Sequence, residues 1–370
     1  MKRFLRIVAL ASLILSSIGL TQVAAQPKIK YIDASAFPLY GKVDEYSQSR
    51  YERLPQVYEG LLRAPLWTLS RNSAGLSIRF RSNSSSIHVK WVSTFKNSMR
   101  HMTDIGTRGL DLYALDSGVW RHVCSAFPNA KENENSARII SGMSSDYREY
   151  MLYLSLYDGV SSLEIGVDED SEILLPQVNS PSREYPVVMY GTSIMQGCSA
   201  SRPGMAHPNI ISRAMDREVI NLGFSGNALL DLKIAEYMAK VESPGVYVLD
   251  YVPNASVSHI DSLGVAFFDI LRSAHPSVPI IFVEDPSFPS AHFNQALAKE
   301  IKEKNEAQKR LYDSLVERGE KRLYYVDTDN LIGDDGEGTV DGIHFTDLGS
   351  GRYVQKLLPV INQALFEREY

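Results

Sequence analysis

The sequence predicts an all-β sandwich followed by an α/β domain with a parallel sheet. Two patterns lead to this prediction. In the first half of the 370-residue chain, apolar and polar residues alternate over short segments, which is typical of half-buried strands. After about residue 180, short apolar segments alternate with longer amphipathic ones, the pattern of successive βαβ units. A chain of this length also favours two domains over one.

The strand pattern of the first half is clearest at residues 76–80, 87–92 and 110–113. Clusters of Ser, Asn and Gly separate these segments, as at residues 82–84 and 116–118, and such clusters favour turns. Short strands joined by turns usually pair in antiparallel fashion, so the first half is predicted to be an antiparallel β-sandwich.

The second half contains candidate strands that alternate with candidate helices. Ligands of open parallel sheets bind at the carboxyl ends of the strands, so these ends are where a site is expected. The strands are predicted at residues 187–190, 218–221, 245–250, 279–284 and 322–327, and the helices at about 207–217, 229–240, 260–274, 293–318 and 350–366.

Residues 179–186 contain proline, serine and charged residues and predict a linker. The predicted division is a signal peptide at 1–25, a β-sandwich domain at 26–178 and an α/β domain at 187–370. The signal segment begins with basic residues, continues with an apolar run to Leu20 and ends with small residues, the order of a cleavable secretory signal. Its apolar run is shorter than the roughly 20 residues of a membrane-spanning helix. The sequence therefore predicts a periplasmic or secreted protein without stable membrane insertion.

Composition and charge exclude several classes of function. The chain has 38 basic and 44 acidic residues and a net charge of −6, which disfavours a nucleic-acid partner. The two cysteines, Cys124 and Cys198, are too few for a disulfide scaffold, and neither lies at the cleavage site, where a lipid anchor would need one. They either pair with each other or remain separate buried thiols. Because neither zinc-site nor EF-hand spacing occurs, no metal or organic cofactor is predicted.

A serine follows the first strand of the second half. Residues 190–197 read Tyr-Gly-Thr-Ser-Ile-Met-Gln-Gly, so Ser193 lies in a tight bend that suits an exposed nucleophile. The segment is not a Gly-x-Ser-x-Gly elbow, because Met195 takes the place of the second glycine. It is not a P-loop either, since no Gly-Lys-Ser/Thr follows. Taken alone, this segment favours a helix-cap or turn residue over a nucleophile.

Other strand ends carry further polar or small residues. Gly226 follows the second strand, Asn254 the third, and the segment Asp341-Gly-Ile-His344 the fifth. Because the carboxyl ends of parallel strands meet at one edge of the sheet, Ser, Gly, Asn and His are predicted to converge there in chain order. This arrangement resembles the four motif blocks of the SGNH hydrolases, the GDSL-type esterase and lipase superfamily.

The resemblance implies a flavodoxin-like fold for the α/β domain and a role for each of these residues. Ser193 corresponds to the nucleophile, His344 to its base and Asp341 to the carboxylate that orients the base. The backbone N–H groups of Ser193 and Gly226 and the side-chain amide of Asn254 correspond to the donors of an oxyanion hole.

The first half resembles the same superfamily. Residues 108–113 read Arg-Gly-Leu-Asp-Leu-Tyr, which is similar to the Gly-x-Asp-Leu-Tyr motif of the jelly-roll-like sandwich that precedes the hydrolase domain in one extracytoplasmic branch. Asp111 and Tyr113 are interpreted as structural residues of a strand rather than catalytic ones. The sequence departs from the family at Thr192, which replaces the aspartate of the Gly-Asp-Ser-Leu form. That change affects the loop and leaves the nucleophile and its base in place.

These residue types suit the hydrolysis of acyl esters. A serine hydroxyl attacks a carbonyl readily only when a neutral imidazole accepts its proton, and a carboxylate on the other ring nitrogen fixes the tautomer. Preset hydrogen-bond donors stabilise the charge of the tetrahedral intermediate. The prediction is a secreted serine esterase that forms an acyl-enzyme. The resemblance favours acetyl, or another short acyl group, on a carbohydrate.

A catalytically inactive glycan-binding protein built on the same two domains is the alternative. The predicted partner is a small-molecule or glycan ester, and the sequence leaves the oligomeric state open. Glu284 and Asp285 end the fourth strand and could tune the site or contact substrate. Nothing in the sequence places the loop around His101 at the site. The helix at 293–318 is interpreted as a solvated face rather than a binding surface, with lysines at Lys299, Lys302, Lys304 and Lys309.

Overall fold

The computed structural model of the protein describes residues 28–44 and 49–369. The predicted signal peptide at 1–25 lies outside the described residues. Within the described residues, no helix is both long enough and apolar enough to cross a membrane.

Two antiparallel sheets form the first part of the chain, as predicted. Their strands are β1 (Ile29–Asp33), β2 (Leu39–Tyr40), β3 (Ser77–Ser82), β4 (Ile87–Ser93), β5 (Leu110–Asp116), β6 (Val119–Ala126), β7 (Glu134–Ile140), β8 (Arg148–Tyr153), β9 (Val160–Asp168) and β10 (Ile173–Leu174). One sheet has the order β1-β9-β4-β7, and the other the order β10-β3-β8-β5-β6, with β2 paired to β3. Short helices α1 (Ala64–Ser70) and α2 (Asp104–Arg108) lie between strands.

Alternation along the strands explains why the two sheets pack face to face. In β4, Ile87, Val89 and Trp91 are buried whereas Lys90 is exposed, so one side of the strand enters the core and the other meets solvent. The indole N–H of Trp91 donates to the carbonyl of Arg108 at 3.1 Å. Trp91 is therefore a core residue, which agrees with its place in the apolar alternation.

The second part has a parallel sheet with helices on both faces. Its strands are β11 (Ser182–Gly191), β12 (Arg217–Gly223), β13 (Val246–Asp250), β14 (Ile280–Val283) and β15 (Leu323–Val326). Its helices are α3 (Ser193–Gln196), α4 (His207–Met215), α5 (Leu232–Met238), α6 (Val257–Ala274), α7 (Gln295–Glu317) and α8 (Asp347–Glu369). The strand order β12-β11-β13-β14-β15 is the flavodoxin-like order, which confirms the predicted fold class.

This strand order determines where a ligand can bind. The chain first adds β12 on one side of β11 and then β13 on the other. The connections after β11 and β13 therefore leave the sheet in opposite directions and open a crevice at their carboxyl ends. The segments that carry Ser193 and Asn254 follow these two strands.

One segment before the predicted linker packs into the core of the α/β part. Leu54, Tyr58, Leu62 and Leu66 lie in the same buried cluster as side chains of the parallel sheet and of α5 to α7. The guanidinium of Arg53 is buried and donates to carbonyl oxygens of β12. The chain therefore enters the α/β part between β2 and β3 and then returns to the sandwich. The sequence patterns did not indicate this crossing.

Strand β11 begins inside the residues that were predicted as a linker. Ser182 pairs with Arg217, and after an irregularity the regular register resumes with Val187 opposite Val219. The regular part of the strand coincides with the apolar run that predicted it. The division of the chain into domains stays a prediction.

Replacing Asp250 by Asn is expected to change how stability depends on pH. Asp250 is buried at the end of β13, where the hydroxyl of Tyr353 donates to it at 2.6 Å. Burial raises the pKa of Asp250 to about 8, the Tyr353 hydrogen bond lowers it, and the nearby Asp285 raises it. The native state therefore retains a proton that the unfolded chain releases above about pH 4. The contribution of Asp250 to the free energy of unfolding accordingly falls as pH rises from about 4 to about 8.

Asparagine mimics the protonated carboxyl and does not titrate. Relative to the parent protein, the Asp250→Asn variant should gain stability as pH rises through this window, by at most about 1.4 kcal/mol per pH unit. Urea unfolding at several pH values measures the difference. Substitution of the exposed Asp170 by Asn is the matched control and should give a much smaller change. An unchanged difference between the Asp250→Asn variant and the parent from pH 5 to pH 8 would contradict the expectation.

Candidate active site

Ser193 is the first residue of α3, directly beyond the carboxyl end of β11. The hydroxyl oxygen of Thr192 accepts the backbone N–H of Ile194 at 3.3 Å and so caps this short helix. Threonine thus supplies a local cap at the position where the Gly-Asp-Ser-Leu form has aspartate. The bend turns the serine toward the crevice at the edge of the sheet.

His344 and Asp341 lie beside this serine. The hydroxyl oxygen of Ser193 is 3.0 Å from Nε2 of His344, and Nδ1 of His344 is 2.7 Å from Oδ2 of Asp341. The other oxygen of Asp341 accepts the backbone N–H groups of Ile343 and His344 at 3.1 and 2.8 Å. Gly342 has φ +91°, a conformation that glycine adopts without strain. The tight turn therefore aims the carboxylate and the imidazole at each other.

The charge on Asp341 determines which ring nitrogen of His344 carries the proton. Burial raises the pKa of Asp341, but hydrogen bonds from the His344 ring and from the backbone outweigh burial and hold the pKa below its usual value. An ionised carboxylate can only accept hydrogen bonds. Nδ1 of His344 is therefore the protonated nitrogen, which leaves Nε2 free to accept the proton of Ser193.

The predicted oxyanion donors line the same cavity as Ser193. Gly226 follows β12, Asn254 follows β13, and both border the cavity together with Ser193 and His344. The side-chain carbonyl of Asn254 accepts the backbone N–H of Ala228 at 3.3 Å. This bond orients the amide so that its NH₂ group can serve another acceptor.

Gln196 ties the Gly226 loop to the serine helix. Its NH₂ group donates to the side chain of Asn72 and to the carbonyl of Leu156, both at 3.0 Å. Its side-chain carbonyl accepts the N–H of Ser225, also at 3.0 Å. The sequence analysis assigned no role to Gln196, because its partners come from three distant segments. These hydrogen bonds connect the segment that follows β12 to the segment that follows β11.

The cavity has a volume of about 370 Å³. Besides Ser193 and His344, its lining contains both apolar and charged residues. The apolar members are Ile194, Pro253, Phe288, Leu297, Ile301 and Ile343, and the charged members are Asp285, Glu300 and Lys304.

The interpretation of α7 as a solvated face is wrong for Lys304. Lys299, Lys302 and Lys309 are exposed and pair with acids one turn along the helix. Lys304 is buried instead, and its Nζ lies 3.1 Å from Oδ2 of Asp285. The physical reason is that one side of α7 packs on the sheet and the cavity.

The Lys304–Asp285 pair supports the loop that carries Asn254. Nζ of Lys304 also donates to the carbonyl of Pro253 at 3.1 Å, which fixes the residue before Asn254. Burial raises the pKa of Asp285 to about 6 although Lys304 lowers it. Oδ1 of Asp285 is buried and has no hydrogen-bond partner among the described residues. Glu284 does not line this cavity. Its carboxylate accepts hydrogen bonds from the Tyr325 hydroxyl and from the backbone N–H of Thr328.

A loop of the sandwich part also reaches the site. The ring of His101 stacks on the ring of His344, with centroids 5.2 Å apart and planes 20° apart. Nε2 of His101 lies 3.1 Å from the sulfur of Cys198. Cys124 and Cys198 are both free thiols, so they do not pair with each other; Cys198 is buried as expected, whereas Cys124 is only half-buried.

The Gly-x-Asp-Leu-Tyr segment joins the sandwich to the α/β part near the site. Oδ2 of the buried Asp111 accepts from the Arg202 guanidinium at 2.6 Å and from the N–H of Gly204 at 2.9 Å. The Arg202 guanidinium also donates to the hydroxyl of Tyr113 at 2.6 Å. A Cβ atom on Gly204 would lie within 2.7 Å of both motif side chains, so the close approach requires glycine. These contacts match the structural interpretation of Asp111 and Tyr113.

Sequence profiles of two families match the chain. The profile of the GDSL-like lipase/acylhydrolase family matches residues 184–362. A profile described as the N-terminus of Esterase_SGNH_hydro-type, named for the GxDLY motif, matches residues 29–173. A search of curated protein sequences finds no match.

Several solved structures are similar to most of the chain. A candidate GDSL-like lipase from Bacteroides ovatus is 34% identical, with coverage of 92% of this chain and 98% of that chain and a TM-score of 0.87. The salicylyl-acyltransferase SsfX3 of a tetracycline biosynthetic pathway is 14% identical, with coverage of 90% and 97% and a TM-score of 0.74. A family two carbohydrate esterase from Clostridium thermocellum, solved with cellohexaose, is 13% identical, with coverage of 79% and 93% and a TM-score of 0.57. At 14% and 13% identity, the last two structures show a similarity of fold alone.

Proposed function

The chain belongs to the GDSL-like lipase/acylhydrolase family of SGNH hydrolases, and from this premise we propose that it is a serine esterase with Ser193 as nucleophile. One observation carries the proposal. The Ser193 hydroxyl, the His344 ring and the Asp341 carboxylate form a continuous series of contacts at 3.0 and 2.7 Å. This series borders a cavity large enough for a small ester.

The proposed reaction begins when the oxygen of Ser193 attacks the ester carbonyl carbon. Nε2 of His344 takes the hydroxyl proton, and Asp341 stabilises the imidazolium through Nδ1. Negative charge develops on the former carbonyl oxygen. The N–H groups of Ser193 and Gly226 and the amide of Asn254 stabilise that charge.

The tetrahedral intermediate then collapses to an acyl-enzyme. The bond to the alcohol breaks, and His344 returns the proton to the departing oxygen. Water enters, gives a proton to His344 and attacks the acyl group, and a second collapse releases the acid and restores the Ser193 hydroxyl. Each step conserves protons between serine, imidazole, water and products.

We propose a carbohydrate O-acetyl group, or another short acyl ester, as the substrate. The cavity of about 370 Å³ is lined in part by apolar residues such as Ile194 and Ile343, which suits a short acyl chain. Asp285, Glu300 and Lys304 add charged groups to the lining, which suits a hydroxyl-rich alcohol. The fold similarity to a carbohydrate esterase solved with cellohexaose guides the choice of sugars to test. A periplasmic or secreted location and a cleaved signal at 1–25 are part of the same proposal.

A screen of short aryl esters and acetylated oligosaccharides tests the proposal. The esterase should release alcohol and acid with turnover, and a short-chain preference should appear as falling kcat/KM with acyl length. The alternative of an inactive glycan-binding protein predicts saturable sugar binding without release of acid. Binding without turnover across the whole screen would favour that alternative.

Replacing Asn254 by Ala should lower kcat by about 100- to 1,000-fold. The amide is proposed to bind the charged oxygen of the transition state more tightly than the neutral ester, so KM should change much less than kcat. Steady-state kinetics on an aryl ester separates the two constants. The exposed Asn362 of α8 offers an Asn→Ala control that should keep the parent rate. A kcat within a few-fold of the parent in the Asn254→Ala protein would remove Asn254 from the oxyanion hole.

A further inference from the structure

Three side chains from separate segments bring metal-binding atoms together beside the proposed nucleophile. They are His101 of the sandwich loop, Cys198 beyond α3, and His344. One ligand atom from each lies within 4.8 Å of the others. We call these three residues the imidazole–thiol cluster. Neither His101 nor Cys198 has a role in the proposed reaction.

Several contacts bring the members of the cluster together. The His101 and His344 rings are stacked at 5.2 Å, and Nε2 of His101 lies 3.1 Å from the Cys198 sulfur. Thr103, two residues after His101, donates its hydroxyl to the carbonyl of Ser201 at 2.5 Å. The loop is thus anchored to the α/β part on the same side as Cys198. Cys198 is 3% exposed, whereas both histidines are partly exposed, so an ion can approach from the histidine side.

The chemistry of these donors favours a thiophilic divalent cation. Zn²⁺ binds imidazole nitrogen at about 2.0–2.1 Å and thiolate sulfur at about 2.3 Å, usually in tetrahedral geometry. Ligand atoms around such an ion are therefore roughly 3.3–3.8 Å apart. In the cluster, Nε2 of His101 lies 3.1 Å from the Cys198 sulfur and all three ligand atoms lie within 4.8 Å of one another, so the stacked histidine rings must rotate to bring the three separations into this range. Two histidines and one cysteine leave a fourth position for water.

We propose that His101, Cys198 and His344 form a reversible binding site for a divalent cation of the Zn²⁺ class, and that the bound cation inhibits the enzyme. Binding forms two metal–nitrogen bonds and one metal–sulfur bond, and the Cys198 thiol releases its proton to solvent. His344 binds through Nε2 and keeps its Nδ1–H bond to Asp341, an arrangement in which a carboxylate supports a metal-bound imidazole. Nε2 then has no lone pair left to accept the proton of Ser193.

The binding part of the inference is independent of catalysis, whereas the inhibition part rests on the proposed function. The test therefore has a spectroscopic arm that needs no turnover. Co²⁺ is added to the purified full-length mature protein under reducing conditions. We expect a thiolate-to-cobalt charge-transfer band with a stoichiometry of one ion per chain, and Zn²⁺ should abolish the band by competition.

Variants assign the band to the cluster. Cys198→Ser should remove the charge-transfer band, and Cys124→Ser, the matched control at the other cysteine, should retain it. His101→Phe keeps a ring stacked on His344 but removes a ligand, and should weaken Co²⁺ binding at least about 10-fold. Circular dichroism establishes that each variant is folded, and His101→Gln replaces His101→Phe if that protein does not fold. A parent protein without the band, or a band that survives Cys198→Ser, would refute the site.

An activity arm tests inhibition. Zn²⁺ should inhibit ester hydrolysis by the parent and by Cys124→Ser, and a chelator should restore the rate. The inhibitory concentration should rise at least about 10-fold in His101→Phe and Cys198→Ser, each compared with its own metal-free rate. Equal sensitivity of all four proteins would overturn the inhibition. If no protein hydrolyses any ester, the proposed function fails while the cobalt spectra still decide the site.

Discussion

Replacing Ser193 by Ala is expected to reduce kcat/KM for ester hydrolysis on the order of 10⁶-fold, the loss that follows removal of the nucleophile in a serine hydrolase. The physical reason is that no other hydroxyl contacts Nε2 of His344 among the hydrogen bonds of the described residues. Without the serine oxygen the acyl-enzyme cannot form. The remaining donors can stabilise only a slow direct attack by water. In free energy the loss corresponds to about 8 kcal/mol of transition-state stabilisation.

Two measurements check this expectation. Initial rates on an activated aryl ester give the loss in kcat/KM, and mass spectrometry after treatment with an organophosphate locates the adduct. The parent should carry the adduct on the peptide that contains Ser193, and the variant should carry none. Ser262→Ala, on the exposed face of α6, is the matched control and should behave like the parent. A folded Ser193→Ala protein with near-normal turnover would end the assignment.

Replacing His344 by Ala is expected to cost about as much as replacing Ser193, again on the order of 10⁶-fold. The imidazole performs both proton transfers in the proposed reaction, and the serine hydroxyl is a poor nucleophile without it. Because the two side chains act as one unit through their 3.0 Å contact, the losses should not add. The double variant should be about as slow as either single variant.

The non-additivity distinguishes a working pair from two residues that merely stabilise the same cavity. Rates of the parent, both single variants and the double variant give the interaction energy by a double-mutant cycle. The exposed His292 provides a His→Ala control. Losses that multiply in the double variant would mean that Ser193 and His344 act independently, which the proposed mechanism does not allow.

The positions of the site residues could be predicted because parallel strands impose them. The segments after β11, β12, β13 and β15 must emerge at one edge of the sheet, so the chain order of Ser193, Gly226, Asn254 and His344 was enough to bring them together. The assignment of Asp341 came from the resemblance to the SGNH hydrolases and from its position three residues before His344. The convergence of these segments follows from where the strands end in the sequence, and it does not require knowledge of how side chains pack.

His101 and Lys304 could not be assigned in the same way. The approach of His101 to His344 depends on how a sandwich loop docks on the α/β part, and no periodicity in the sequence encodes that docking. Lys304 belongs to a helix rich in Lys and Glu whose exposed pairs dominate the pattern. Which lysine faces inward is decided by tertiary contacts with Asp285 and Pro253.

The early entry of residues 54–66 into the α/β core limits how this architecture can be recombined. Consider a chimera in which the chain before residues 179–186 comes from another protein. The α/β part would lose Leu54, Tyr58, Leu62 and Leu66 from its core and keep an empty groove, and in the separated first part the same apolar side chains would be exposed to water. The halves are therefore not interchangeable modules. A graft that exchanges the α/β part would have to carry residues 54–66 with it.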